Sequence, residues 1–478
     1  MGTGRETGLF RRLGAVVGPA AFAATLVLSA PEALTPEAWR VAGLALWMAA
    51  WWMTEAVPLA ATALLPVVVV PLAGAASVHT AAAPYANPLI FLFLGGFAVA
   101  LAVQNTGLHR RIAFLILARV GDRPDAILAG FMAATALLSM WVSNTATALM
   151  MVPIALSVVD LIGAEDANEG FAPALVLGVA YAASLGGMAT LVGTPPNAVF
   201  AGFFEQSFGR TVTFVQWMAV GLPVAAVLTA ATWLWLARGA FRLGHVPIAG
   251  ARARIAEAKA ALGPWRAGER RTAVVALVTA ALWIASPVIA DVVPAWSDSG
   301  VAIGAALILF LMPAGDRPGR LLGVGDVARL PWDVLLLIGG GLSLAGAMEA
   351  TGLAPWLGQR LTGLGGLAPI VTLLAIAAVI VLVSELASNT ATAAAFLPVV
   401  VALAPGLGTD PVALAVPATL AASCGFMLPV GTPPNAIAYA TGRVTVGQMA
   451  RAGLGVDVLG IVVAATLGAW LARLVLAS

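Results

Sequence analysis

The sequence predicts an all-α membrane protein of about eleven transmembrane helices plus two re-entrant hairpins, set in two inverted-topology repeats. Three observations carry that expectation. Apolar stretches of bilayer length recur along the chain, basic residues gather in particular loops, and two polar motifs each occur twice.

A chain that is 61% hydrophobic and only 10% charged over 478 residues cannot cover a water-facing surface, so lipid is its natural solvent. Roughly 20 apolar residues cross the hydrocarbon core as a helix. Such stretches run near 13–30, 39–56, 58–75, 86–108, 127–160, 171–204 and 214–240, then 272–290, 298–313, 332–350, 368–405, 411–440 and 453–476. Arg5, Arg11 and Arg12 precede the first, which lacks a convincing cleavage site and reads as a retained helix. The small net charge of +2, with Arg confined to loops, argues against nucleic acid as a partner. A lone cysteine, Cys424, excludes an internal disulfide and a Cys-based metal cluster, and His79, His109 and His245 are too far apart for a metal motif.

The stretches 127–160 and 368–405 are too long for one span, and loop charge decides how to read them. With the N-terminus in the cytoplasm, the positive-inside rule places 109–123, 238–271 and 317–329 there too. Four crossings bring His109 to the cytoplasm, and only a hairpin at 127–160 that returns to the same side keeps 238–271 inside. The same arithmetic makes 368–405 a hairpin entered from outside, puts Arg443 and Arg451 inside and leaves the C-terminus external, in a cell inner (plasma) membrane. The expected organisation is a first helix within 1–38 and a first repeat over 39–240, with hairpin 127–160 and a broken helix at 171–204. A cytoplasmic linker at 241–271, lying on the lipid surface, joins it to a second repeat over 272–445, with hairpin 368–405 and a broken helix at 411–440; a last helix lies within 446–478.

The repeat is visible residue by residue. Ser139-Met140-Trp141-Val142-Ser143-Asn144-Thr145-Ala146-Thr147 aligns with Ser384-Glu385-Leu386-Ala387-Ser388-Asn389-Thr390-Ala391-Thr392 at an offset of 245, which also pairs Thr106-Gly107-Leu108 with Thr351-Gly352-Leu353. Val192-Gly193-Thr194-Pro195-Pro196-Asn197 recurs as Val430-Gly431-Thr432-Pro433-Pro434-Asn435 at an offset of 238. By loop parity the two copies have opposite orientation, the arrangement in which secondary transporters build a central site.

Ser, Asn and Thr in succession inside an apolar hairpin must find polar partners or incur a desolvation cost of several kcal/mol. Their oxygens suit a hard monovalent cation, while the Asn amide and the hydroxyl protons can donate to an anion. A helix broken at such a motif adds amides for the anion and carbonyls for the cation. Back-bonding to the preceding turn, or glue between helices, is the alternative for an isolated motif; duplication argues against it. Successive prolines in Gly-Thr-Pro-Pro-Asn forbid continuous helix, so Thr194 and Thr432 sit at breaks. Glu55, Glu385 and Asp291 are the carboxylates weighed for ion coupling: Glu55 sits beside an interfacial Trp pair, Asp291 at the end of its stretch, and Glu385 one residue after Ser384. No nucleophile is paired with a base, so an enzyme is not expected, and a channel is the other rival.

These residues, with Trp52-Met53-Thr54-Glu55-Ala56-Val57-Pro58, resemble the pattern of the divalent anion/sodium symporter family over nearly the whole chain. The resemblance implies sodium-coupled uptake of C4-dicarboxylates such as succinate, malate or fumarate, a homodimer, and an elevator motion. It implies one sodium at Ser139, Ser143, Asn144 and Gly193 and a second at Ser384, Ser388, Asn389 and Gly431. Substrate carboxylates would meet Asn144, Thr145 and Thr194 from one half and Asn389, Thr390 and Thr432 from the other. Family members also include anion exchangers and carriers of citrate or sulfate.

Overall fold

The computed structural model describes residues 3–160, 170–244, 246–248, 250–316, 318–360 and 368–476; His245 and Arg317 lie outside the described residues. Among the described residues there is no β-strand, only an isolated bridge between Pro313 and Arg320.

The first part of the chain contributes α1 (Thr3–Val27), α2 (Pro36–Thr54), α3 (Pro88–Thr106), α4 (Leu108–Leu117), α5 (Pro124–Ser139), α6 (Asn144–Val159), α7 (Phe171–Gly187), α8 (Pro195–Phe208) and α9 (Phe214–Leu234). The second contributes α10 (Ala267–Val292), α11 (Asp298–Leu311), α12 (Trp332–Ala350), α13 (Leu353–Arg360), α14 (Pro369–Ser384), α15 (Asn389–Leu403), α16 (Pro411–Ala422), α17 (Pro433–Ala440) and α18 (Val446–Val463). Among the described residues, five helical segments are long and apolar enough to cross a membrane: Val78–Thr106, Phe214–Ala240, Ala267–Val292, Trp332–Ala350 and Val446–Leu476. One face of α10 leaves Val274, Leu277, Val278, Ile284, Val288 and Val292 exposed, as a helix bathed in hydrocarbon should. Stretch 58–75 is not one rod but Leu59–Thr62 followed by Leu65–Leu72, and the Ala63 carbonyl freed between them accepts the Tyr85 hydroxyl.

Stretches 127–160 and 368–405 each contain a pair of short helices. α5 and α6 have 16 residues each, α14 has 16 and α15 has 15, so at 1.5 Å per residue none reaches the roughly 30 Å of a bilayer core. Each pair is joined by a four-residue tip, 140–143 or 385–388. Stretches 171–204 and 411–440 are each divided between two helices. α7 ends at Gly187 and α8 starts at Pro195; α16 ends at Ala422 and α17 starts at Pro433. Every proline pair occupies the first two positions of the new helix, where a missing amide costs no helical bond.

Repeated sequence adopts repeated conformation elsewhere too. Gly107 and Gly352 both have φ +79° at the junctions of α3 with α4 and of α12 with α13, a left-handed turn natural to glycine. Just before each, the Thr106 and Thr351 hydroxyls donate to the Ala102 and Ala347 carbonyls at 2.8 Å.

At the centre stand α7 and α16, which are buried along almost their whole length. Small residues permit the close approach: a methyl group on Gly186 would collide with the backbone of Ala136 in α5. The halves then cross. α6 of the first hairpin packs against α17 of the second break, and α15 of the second hairpin packs against α8 of the first.

Candidate functional site

Each hairpin tip meets the break of its own half. In the first half Ser139 is fully buried, its hydroxyl 2.6 Å from the Ala183 carbonyl of α7 and 2.8 Å from Asn144 Oδ1. A methyl group on Gly187 would come 2.5 Å from Asn144 Oδ1 and 3.0 Å from the Gly193 carbonyl oxygen; one on Gly193 would strike the Gly187 carbonyl. Hydroxyl, amide and backbone oxygens therefore converge on a cradle that tolerates no side chain. The second half repeats it: the Ser384 hydroxyl donates to the Ala422 carbonyl at 3.0 Å, and a methyl group on Gly425 would face the Ser384 carbonyl and Asn389 Oδ1. Asn389 Oδ1 is buried without a hydrogen-bond donor. A buried amide oxygen in that condition has lone pairs to offer a cation. The oxygen sets of both halves thus fit sodium, a hard ion that takes hydroxyl and carbonyl ligands.

The breaks are held open by an asparagine that sequence reasoning quoted but gave no role. Fully buried Asn197 donates through Nδ2 to the carbonyls of Gly187, Met188 and Thr190 at 3.1, 3.3 and 2.8 Å. Asn435 does the same to Gly425 and Leu428, both at 3.0 Å. Carbonyls that lost their helical donors are thereby satisfied. Gly187 and Gly425 also belong to the cradles and were missed. Their signal was the small-residue run at the end of each central helix.

The remaining expected residues fall into two groups. Asn144, Thr145, Asn389 and Thr390 begin α6 and α15 and are half-buried, so they lie at helix N-termini where free amides and the helix dipole favour an anion. Thr194 and Thr432 are buried in extended conformation just before α8 and α17, and Thr432 Oγ1 accepts the Asn435 amide at 3.3 Å. Ser143 and Ser388 precede α6 and α15 as N-cap residues; the Ser143 hydroxyl is exposed and accepts the Ala146 amide at 3.3 Å. Of the three carboxylates, Glu55 is half-exposed and 3.4 Å from Arg11, Asp291 is exposed, and Glu385 is buried against the second break.

Paired hairpin tips meeting paired helix breaks, inside a shell of lipid-facing helices, define a membrane transporter. Relatives point the same way. The chain is 38% identical over 471 residues to the sodium-dependent dicarboxylate transporter SdcS of Staphylococcus saprophyticus, covering 94% of this chain and 89% of the relative. It is 38% identical over 463 residues to the SdcS of Staphylococcus aureus, with the same coverage. The fold is similar to the YdaH transporter of Alcanivorax borkumensis (TM-score 0.58, 16% identity, covering 82% of this chain and 87% of that one). It is similar also to MtrF of Neisseria gonorrhoeae (TM-score 0.56, 15% identity, 82% of each chain). The family described as the sodium:sulfate symporter transmembrane region matches residues 11–477, and the chain belongs to it.

Proposed function

We propose that this chain is a sodium-coupled symporter of C4-dicarboxylates such as succinate, malate and fumarate, working as a homodimer in the plasma membrane by elevator-type alternating access. The observation that carries the reading is the crossed pair of oxygen cradles, each next to a helix N-terminus; the printed function of the SdcS relatives supplies the substrate class. Ser139, Ser143, Asn144 and Gly193 hold one sodium; Ser384, Ser388, Asn389 and Gly431 hold another. Asn144, Thr145, Thr194, Asn389, Thr390 and Thr432 receive the dicarboxylate. No Arg or Lys stands in either motif, so bound sodium supplies the positive charge that a dianion needs in a low-dielectric site. The fold proposed in the membrane has about eleven crossings in two inverted repeats, with hairpins opening from opposite faces.

Purified protein in liposomes tests this. Labelled succinate should accumulate on an inward sodium gradient, saturate with substrate, and be competed by malate and fumarate. Uptake that ignores the sodium gradient but accelerates with internal dicarboxylate would show an exchanger instead.

A further inference from the structure

The repeat includes a pair of glycines whose surroundings differ between the halves. Gly95 and Gly96 on α3 correspond, at the 245 offset, to Gly340 and Gly341 on α12. The first glycine of each pair does the same work in both halves. A methyl group on Gly95 would strike the backbone of Ala302, and one on Gly340 the backbone of Ala63, so each lets a neighbouring segment approach closely. The second glycine does not. A methyl group on Gly96 would come 2.7 Å from Val192 Cγ1 and 3.2 Å from its Cβ, so the Val192 side chain, at the first break, is seated in the space that glycine leaves. Among the described residues, a methyl group on Gly341 would meet Ala394 Cβ alone, at an ordinary 3.8 Å.

The equivalent of Val192 at the 238 offset is Val430; Val192 is 6% exposed and Val430 is 75% exposed. The hairpin tips differ in the same sense. Trp141 stacks on Phe214 (centroids 5.9 Å apart, planes at 26°), and Phe214 stacks on Trp283 of α10 (4.5 Å, 25°). The Phe214 amide, at the start of α9, donates to Asp298 Oδ2 of α11 at 3.0 Å. The counterpart of Trp141 is Leu386, which is 74% exposed. The first tip and break are thus clasped to α3, α10 and α11, while the apolar residues of the second stand open. They lie beside half-buried Ser388, Asn389 and Thr390, polar groups that hydrocarbon would not tolerate. One tip covered and its inverted twin uncovered is what a site reached from one face at a time requires.

We propose that Gly341 is the seat of Val430: in the transporter's other state the second break docks on α12 as the first now docks on α3, and the Trp141 clasp lets go. The proposal rests on the alternating-access reading and adds to it the residues at which each half engages. Because α6 packs on α17 and α15 on α8, the two breaks move as one body, so engaging one seat disengages the other. Gly95 and Gly340 hold their own neighbours in both states, which is why their surroundings match.

Paired cysteines test this in proteoliposomes, with buried Cys424 left in place. The 3.2 Å from a side-chain carbon at 96 to Val192 Cβ is close to the separation that a disulfide needs. Gly96→Cys/Val192→Cys should cross-link under mild oxidation in the present state, and Gly341→Cys/Val430→Cys only in the other. In protein that is taking up succinate both pairs should form, each should abolish uptake, and a reductant should restore it. A Gly341→Cys/Val430→Cys pair that never cross-links during uptake overturns the proposal, as does uptake that survives the cross-link. If that double variant is inactive before oxidation, Gly341→Ala decides, since the added methyl has room now and would meet Val430 only after the change of state. Its maximal uptake rate should fall by about tenfold with sodium-dependent succinate binding retained. A wild-type rate, or a loss of binding in step with rate, refutes the seat. Cross-linking of both pairs in protein whose uptake ignores sodium would instead sink the symport reading and leave the seat standing.

Discussion

The glycines of the two cradles are equivalent in sequence but not in space. A methyl group on Gly193 would strike the Gly187 carbonyl and its backbone neighbours, whereas one on Gly431 would meet Glu385 Oε2 and the Gly425 carbonyl at 3.2 Å and the Leu428 carbonyl at 3.4 Å. The first contact requires backbone to move; the second asks a few tenths of an ångström of its neighbours. Gly193→Ala should therefore reduce sodium-driven succinate uptake by tenfold or more, equivalent to about 1.4 kcal/mol, while Gly431→Ala stays within about threefold of wild type. Sodium-activation curves in liposomes check this, and a fully active Gly193→Ala would contradict the first cradle. Residue-scale legibility was uneven for a physical reason. Ser139, Asn144, Ser384 and Asn389 stood out because polar groups in an apolar hairpin, repeated, need partners. Asn197 and Asn435 did not stand out, because the carbonyls they hold reach them only through the fold.

Among the elements, the segment between the halves shows how a linker can be fixed without a large core. Arg111 on α4 makes a two-pronged ion pair with Glu269 at the start of α10, Nε to Oε2 at 2.9 Å and Nη2 to Oε1 at 3.1 Å, with both side chains under 10% exposed. The same guanidinium donates to the carbonyls of Leu262, Gly263 and Pro264 and sits 4.9 Å over the Trp265 ring. Linker 241–271 reads from sequence as a basic surface helix, and the short helix Ala251–Ala260 is largely exposed, yet its exit is pinned. Charge pattern alone could not reveal that, since the partners are 158 positions apart. Removing one partner leaves a buried charge, so Arg111→Ala or Glu269→Ala should each lose about 3–5 kcal/mol of stability. The double replacement Arg111→Met/Glu269→Leu should recover part of it. Thermal melts in detergent, with limited proteolysis of the linker, measure both; single variants as stable as wild type would show the pair to be ornamental.

At the scale of the whole molecule the interruptions at the Ser-Asn-Thr and Gly-Thr-Pro-Pro-Asn motifs were legible because each motif occurs twice, whereas the crossing of the halves was not, because no local pattern says that α6 will lie on α17 and α15 on α8. That crossing bears directly on how one substrate is held. If Thr145 and Thr390 each donate to a different carboxylate of a single dicarboxylate, each lost hydrogen bond to a charged group is worth about 1.5–3 kcal/mol. Thr145→Ala and Thr390→Ala should then each raise the KM for succinate by about tenfold or more. Contacts at opposite ends of one ligand share no partner, so the free-energy losses should add and the double variant should show roughly the product of the two single effects. A monocarboxylate of matching length has only one end to hold, so it should gain little from either threonine. A double variant no weaker than the worse single one would mean that both threonines act on the same end, or that one half alone binds, and the two-handed site would have to be abandoned.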